Sequence, residues 1–169
     1  MNSFDACLAT FSLLVANYIA GIDNNYVVLI LSITAGISMA ISGFWGSIFV
    51  EHVEQQKQLK KLQTALLTNL EGTLLRGDYE TSSLLLAIIN GLSPVVISVV
   101  IVSPFLFLET FYAYYVAFSI VVLLLLALGL TMARIGKTNS FYFILKFFSA
   151  AIFAVILIVL INNALNYIK

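Results

Sequence analysis

Charge is what this chain has least of. Eight basic and eight acidic residues make up 9% of 169 positions and cancel each other, whereas a soluble domain carries about 25% charged residues. With 62% hydrophobic residues and a mean hydropathy of +1.07, water is not its main solvent, and an integral membrane protein follows. The charge balance excludes a general basic surface and gives no case for a nucleic-acid partner. A single cysteine, Cys7, excludes an intrachain disulfide and any Cys-based metal motif. One histidine, His52, and the lack of GxSxG, P-loop or HExxH patterns leave nothing that reads as an enzyme site. There are only two prolines, Pro94 and Pro104. Internal repeats, low-complexity tracts and linkers are lacking too, so residues 1–169 read as one membrane domain.

What is present is five apolar runs, at about 4–22, 26–50, 84–108, 111–133 and 141–161. A spanning helix needs about 20 apolar residues, so the expected fold is all-α with five transmembrane helices. The first run is short. It has no basic residue before it and Asp5 at its start, so it reads as a retained span rather than a signal peptide. Lys57, Lys60, Lys61, Arg76, Arg134, Lys137 and Lys146 fall on one side of this topology and only Lys169 on the other. The positive-inside rule then places the N-terminus in the cytoplasm and the C-terminus outside. Tyr18, Tyr26, Tyr112, Tyr114, Tyr115 and Tyr167 collect near the outer boundary as an aromatic belt. The fourth run, with no ionisable group between Glu109 and Arg134, reads as a lipid-facing wall.

The one polar segment is 51–83. No Pro or Gly interrupts residues 47–71, so the second helix is expected to continue into the cytoplasm, with Gly72 and Gly77 as stopping points. Leu59, Leu62, Leu66, Leu70 and Leu74 recur at helical spacing, which favours packing on a second copy of the chain over lying on the membrane.

Residues 35–47, AGISMAISGFWGS, are the least lipid-like stretch of the apolar runs. Ser32, Gly36, Ala40, Gly43 and Ser47 share one helical face, the kind that lets a second helix approach closely in lipid. Met39 sits among them as a single soft ligand. In the third run Pro94 removes the donor that would serve the carbonyl of Asn90, so that carbonyl needs protein or a cavity to receive it. The other candidates are acids and an imidazole. Asp5 is either a helix N-cap or a ligand. Glu51, His52 and Glu54 form E-H-x-E at the end of the second run, a donor set suited to divalent Mn, Fe or Zn and equally to the solvated start of an amphipathic helix.

Residues 5–12, DACLATFS, resemble the D-G-x-x-x-x-F-A signature that opens the first span of the vacuolar iron transporter family. Residues 35–44, AGISMAISGF, are similar to that family's A-G-x-x-S-M-x-x-G-[EG]-Y with a one-residue adjustment, and Gly91-Leu92-Ser93-Pro94 to its G-x-x-P. Ala133-Arg134-Ile135-Gly136-Lys137 before an apolar fifth span also fits. The chain departs from the pattern at Ala6, where the family has Gly, and at Ile30-Leu31-Ser32, where it commonly has a Glu. The resemblance implies a homodimer that carries Fe2+ or Mn2+ out of the cytoplasm, with proton exchange. Its metal path would run between the subunits past Asp5 and Met39, fed by Glu51, His52 and Glu54, with Gly36, Ala40, Gly43 and Pro94 as structural residues. No permanent cofactor is implied; the metal is cargo and lipid the other partner. A prokaryotic cell membrane is the expected location. The second reading is a non-transporting scaffold or subunit of the same fold.

Overall fold

The computed structural model describes residues 2–66, 74–137 and 139–167. They form five helices: α1 (Asn2–Ile19), α2 (Asn25–Leu66), α3 (Leu74–Val102), α4 (Thr110–Ile135) and α5 (Ser140–Asn166), with a 3-10 turn Ser103–Leu106 between α3 and α4. Among the described residues four stretches are long and apolar enough to cross a membrane: Asn25–Glu54, Leu84–Leu106, Thr110–Ile135 and Ser140–Asn166. These give the chain the character of a multi-pass helical membrane protein. α1 is not among the four. Asn2, Asp5 and Asn17 dilute its apolar character, and it touches all four other helices, so most of its surroundings are protein.

Local chemistry sets the helix ends. α1 closes with Gly21 at φ 69°, where Ile22 N–H donates to the Asn17 carbonyl at 3.0 Å and Gly21 N–H to that of Tyr18 at 3.2 Å. This is the paired Schellman ending, which favours glycine because the backbone is left-handed there. Asn24 then caps α2, its Oδ1 accepting from Tyr26 N–H at 2.9 Å. Thr110 Oγ1 donates to the Asp23 carbonyl at 2.9 Å and Asn25 Nδ2 to that of Leu108 at 2.8 Å, binding the two turns at this end together. Tyr114, expected in the aromatic belt, is instead buried here; its hydroxyl donates to the Ile22 carbonyl and its ring meets Tyr18 and Phe105 edge-on. Tyr26, Tyr112 and Tyr115 remain exposed.

α2 is unbroken for 42 residues, about 63 Å at 1.5 Å per residue, roughly twice the hydrocarbon thickness. The stop expected at Gly72 lies outside the described residues. Gly77, the other expected stop, lies inside α3, which begins ten residues ahead of the third apolar run. Pro104 ends α3: its carbonyl accepts from the N–H groups of both Phe107 and Leu108.

α1 and α3 run parallel, Asn2 meeting Asn90 and Thr10 meeting Ser98 at a constant offset of 88 residues. α2 runs antiparallel to α3 and packs on it more extensively than any other pair does. Its small-residue face makes that contact. A Cβ on Gly36 would fall 2.6 Å from Ser98 Oγ, one on Gly43 3.1 Å from the Asn90 carbonyl oxygen, and one on Gly91 3.3 Å from that of Ala40. The seam expected to be one wall of a path between subunits is thus closed by α3 of the same chain.

The lipid-facing wall expected of the fourth run is one side of α4, which exposes Phe111, Tyr115, Val122, Leu123 and Leu130. α4 buries Ala113, Ala117, Val121, Leu125, Gly129 and Ala133, one residue every four, against the bundle. α5 buries only Ala151 and exposes Phe141, Leu145, Ile152, Phe153, Ile156 and Leu160. Small residues at regular spacing gave α4 a packing stripe that α5 does not have. Lys146, on α5, turns its ammonium over the Tyr142 ring at 4.5 Å, toward the nearer helix end.

The glycines predict a sharp contrast. Gly36→Ala drives a methyl into Ser98 and its bond with Thr10, and is expected to cost about 1–3 kcal/mol, read as a lower unfolding midpoint in detergent. Gly46→Ala, where a Cβ meets nothing within 4 Å, is expected to raise the midpoint slightly, since alanine is favoured over glycine in a helix interior by about 0.5–1 kcal/mol.

Candidate functional site

At the end of the bundle where α1 begins, α1, α2 and α3 leave a cleft of about 430 Å³. α1 contributes Asn2 and Asp5, one turn apart. α2 contributes the stripe Met39, Ser42, Gly43, Gly46, Ser47, Val50 and Glu51, and α3 contributes Asn90 and Pro94. Glycine and serine on α2 make the space, because their side chains are too short to fill it. Along α2, Met39 and Glu51 are twelve residues apart, so the cleft extends about 18 Å from Glu51 inward to the thioether.

Its inner wall is a hydrogen-bonded group around Asn90. Pro94 has no N–H to give to the Asn90 carbonyl, and that oxygen instead accepts from Asn2 Nδ2 at 3.2 Å and from Ser93 Oγ at 3.4 Å. Asn90 Nδ2 donates to Ser47 Oγ at 2.8 Å. One backbone defect is therefore met by a side chain from α1, and the asparagine bearing it reaches across to α2. Each neutral hydrogen bond of this kind is worth about 1 kcal/mol, but leaving the carbonyl bare in an apolar layer costs more.

Three of the five expected metal residues line this cleft: Asp5, Met39 and Glu51. Asp5 is not an N-cap, since α1 starts at Asn2 and Asp5 lies within the first turn, where the helix dipole favours its negative charge. His52 and Glu54 do not line the cleft. His52 is exposed, and its Nε2 lies 3.0 Å from Gln56 Nε2 one turn further along α2. The cause is position along α2: His52 and Glu54 both lie beyond Glu51, the last α2 residue lining the cleft, and His52 is also turned about 100° from it. Among the described residues no group of three or more His, Cys, Asp and Glu is placed to hold a metal ion. The donors in the cleft are two carboxylates, amide and hydroxyl oxygens, and one thioether. Among the described residues no basic side chain lines it. Such a lining is rich in oxygen donors and acidic in character.

Sequence reasoning missed Asn2, whose amide completes the wall. The signal was present in two halves, an asparagine at the start of an apolar run and a carbonyl freed by Pro94, but nothing in the spacing joins residue 2 to residue 90. Ser42 and Ser47 stood out only as small residues.

Comparison with protein-family models, with curated proteins and with solved structures finds no match to this chain.

The wall around Asn90 predicts a thermodynamic coupling. Asn2→Ala is expected to destabilise the protein by about 1 kcal/mol, since it leaves the Asn90 carbonyl only the longer bond from Ser93 Oγ. In a Pro94→Ala background the restored N–H at residue 94 serves that carbonyl, and the same Asn2→Ala change is expected to cost much less. A double-mutant cycle on unfolding midpoints in detergent measures the difference.

Proposed function

We propose that the protein carries divalent transition-metal cations, Fe2+ or Mn2+, across a membrane and out of the cytoplasm, using this cleft as its mouth. The observation that carries the reading is the convergence of Asp5, Met39 and Glu51, from two helices and three separate stretches of sequence, on one opening that no basic side chain lines among the described residues. Two carboxylates match the charge of a divalent ion. A thioether deeper in the cleft favours a transition metal over Mg2+ or Ca2+. The absence of a three-ligand cage among the described residues suits an ion that must leave again.

In this reading the cleft faces the cytoplasm, because the basic residues collect at its end of the bundle. α1, 18 residues and about 27 Å long, is the fifth crossing helix, sheltered from lipid by the other four. The part of α2 beyond Glu54 extends into the cytoplasm. The apolar faces of α2 and α5 contact lipid and a second subunit. The same lack of a cage favours one other reading, a non-transporting scaffold of the same fold.

Purified protein in liposomes containing a dye sensitive to Fe2+ and Mn2+ tests the proposal. Wild type is expected to admit metal well above empty vesicles. Asp5→Asn, Glu51→Gln and Met39→Ala are each expected to lower the rate roughly tenfold or more, equivalent to about 1.4 kcal/mol of lost interaction. His52→Ala and Glu54→Gln, which sit off the cleft, are expected to leave it within about twofold. No uptake by wild type would exclude transport and leave the scaffold.

A further inference from the structure

The polar character of the cleft does not end at its floor. Its deepest residues, Met39 and Pro94, lie one turn from Gly36 and Ser98. There Ser98 Oγ and Thr10 Oγ1 are 2.9 Å apart, at 0% and 1% exposure. One turn beyond Gly36 on the same face of α2 is Ser32, at 0% exposure, and two turns beyond Thr10 on α1 is Asn17, at 6%. These four are the buried polar residues among those described, and all lie on α1, α2 and α3.

Two of them have no partner among the described residues: Ser32 Oγ and Asn17 Nδ2. Ser32 is the more telling. Hydroxyls in apolar helices ordinarily bond a carbonyl of their own preceding turn. Ser38, Ser103, Ser119, Thr131 and Ser149 all do so here, with donor–acceptor distances of 2.8–3.0 Å. Ser32, more deeply buried than any of these, does not. A buried polar atom without a protein partner is ordinarily served by bound water.

We propose that bound water serves the buried Ser32 and Asn17 of the seam between α1, α2 and α3, reaching them from the Asp5–Glu51 cleft past the Thr10–Ser98 pair. This hydration does not rest on the metal-transport reading. Gly36 is the tightest level of the seam: a Cβ there would fall 2.6 Å from Ser98 Oγ, so exchange with the cleft requires α2 and α3 to separate at that level.

The test is access of a small water-borne cation to an introduced thiol. In full-length protein with Cys7→Ala, reconstituted in vesicles, Ser32→Cys is exposed to Ag+ and the remaining free thiol is counted after denaturation. Controls are Val121→Cys in the dry α4 core and Leu123→Cys on its lipid-facing side, at 1% and 65% exposure of the native residues. Because only a hydrated thiol ionises to the reactive thiolate, blocking at Ser32→Cys is expected to be at least about tenfold faster than at either control. A rate equal to the controls overturns the proposal. Ser32→Ala gives a second measurement that survives misfolding of the cysteine variant. If the seam is dry, removing an unpaired hydroxyl raises the melting temperature, and that result also overturns it; an unchanged or lower value supports it. Metal uptake is read separately, so slow labelling with normal uptake leaves metal transport without a hydrated seam, and fast labelling without uptake leaves a hydrated seam in a protein that does not transport metal.

Discussion

The carbonyl of Asn90 is the constraint on which the rest of this end of the molecule depends. Pro94 frees it within an apolar stretch where water is scarce, and a bare carbonyl there costs more than a hydrogen bond returns. Asn2 relieves it, and that requires the first turn of α1 to sit against α3 rather than fray into solvent. Asp5 is one turn further on, so the residue that repairs the proline defect also delivers a carboxylate to the cleft. On the other side, Gly43 must be glycine-sized for Asn2 and the Asn90 carbonyl to fit beside α2. The proline, the asparagine pair and the glycine form one arrangement. Changing any of them moves the wall of the cleft.

How much of this was legible in the sequence follows from which forces composition records. The apolar runs marked the helices because helix length and hydropathy are local properties, and the absence of Pro and Gly beyond Ser47 marked α2 as one long helix for the same reason. The glycine face of α2 was equally visible. Its partner was not. In lipid, a helix of the same chain and a helix of another subunit offer the same packing energy, so a small-residue face names no partner. Tyr114 was hidden by a similar degeneracy: a tyrosine near a helix end satisfies its hydroxyl at a headgroup or at a carbonyl such as that of Ile22. Glu51 and His52 were separable in principle by helical phase, but only knowledge of where α1 and α3 sit tells which phase faces the gap.

The candidate residues divide along the same line. Asp5, Met39 and Glu51 were each weak alone, since a first-turn acid, a core methionine and a solvated glutamate are all ordinary. Their convergence depends on the antiparallel pairing of α2 with α3 and the parallel pairing of α1 with α3, which no single run encodes. Asn2 fell outside the reading because its role is to serve another residue's backbone. Residues of that kind have no signature of their own.

The placement of charge explains how such a cleft can exist in so apolar a chain. Asp5 is exposed and Glu51 half-buried, so both carboxylates stay within reach of water. They share an opening that no basic side chain lines among the described residues. Deeper in, the lining changes to neutral oxygens and then to the thioether of Met39, so the pull of full charges fades as softer, weaker donors take over. In the transport reading a cation is gathered by charge at the mouth and stripped of part of its water further in, with no group of three or more ligands among the described residues to keep it there. The sparse charge of this chain and its loose donor set belong to the same design: a deeper carboxylate would hold the ion more tightly and cost more to bury.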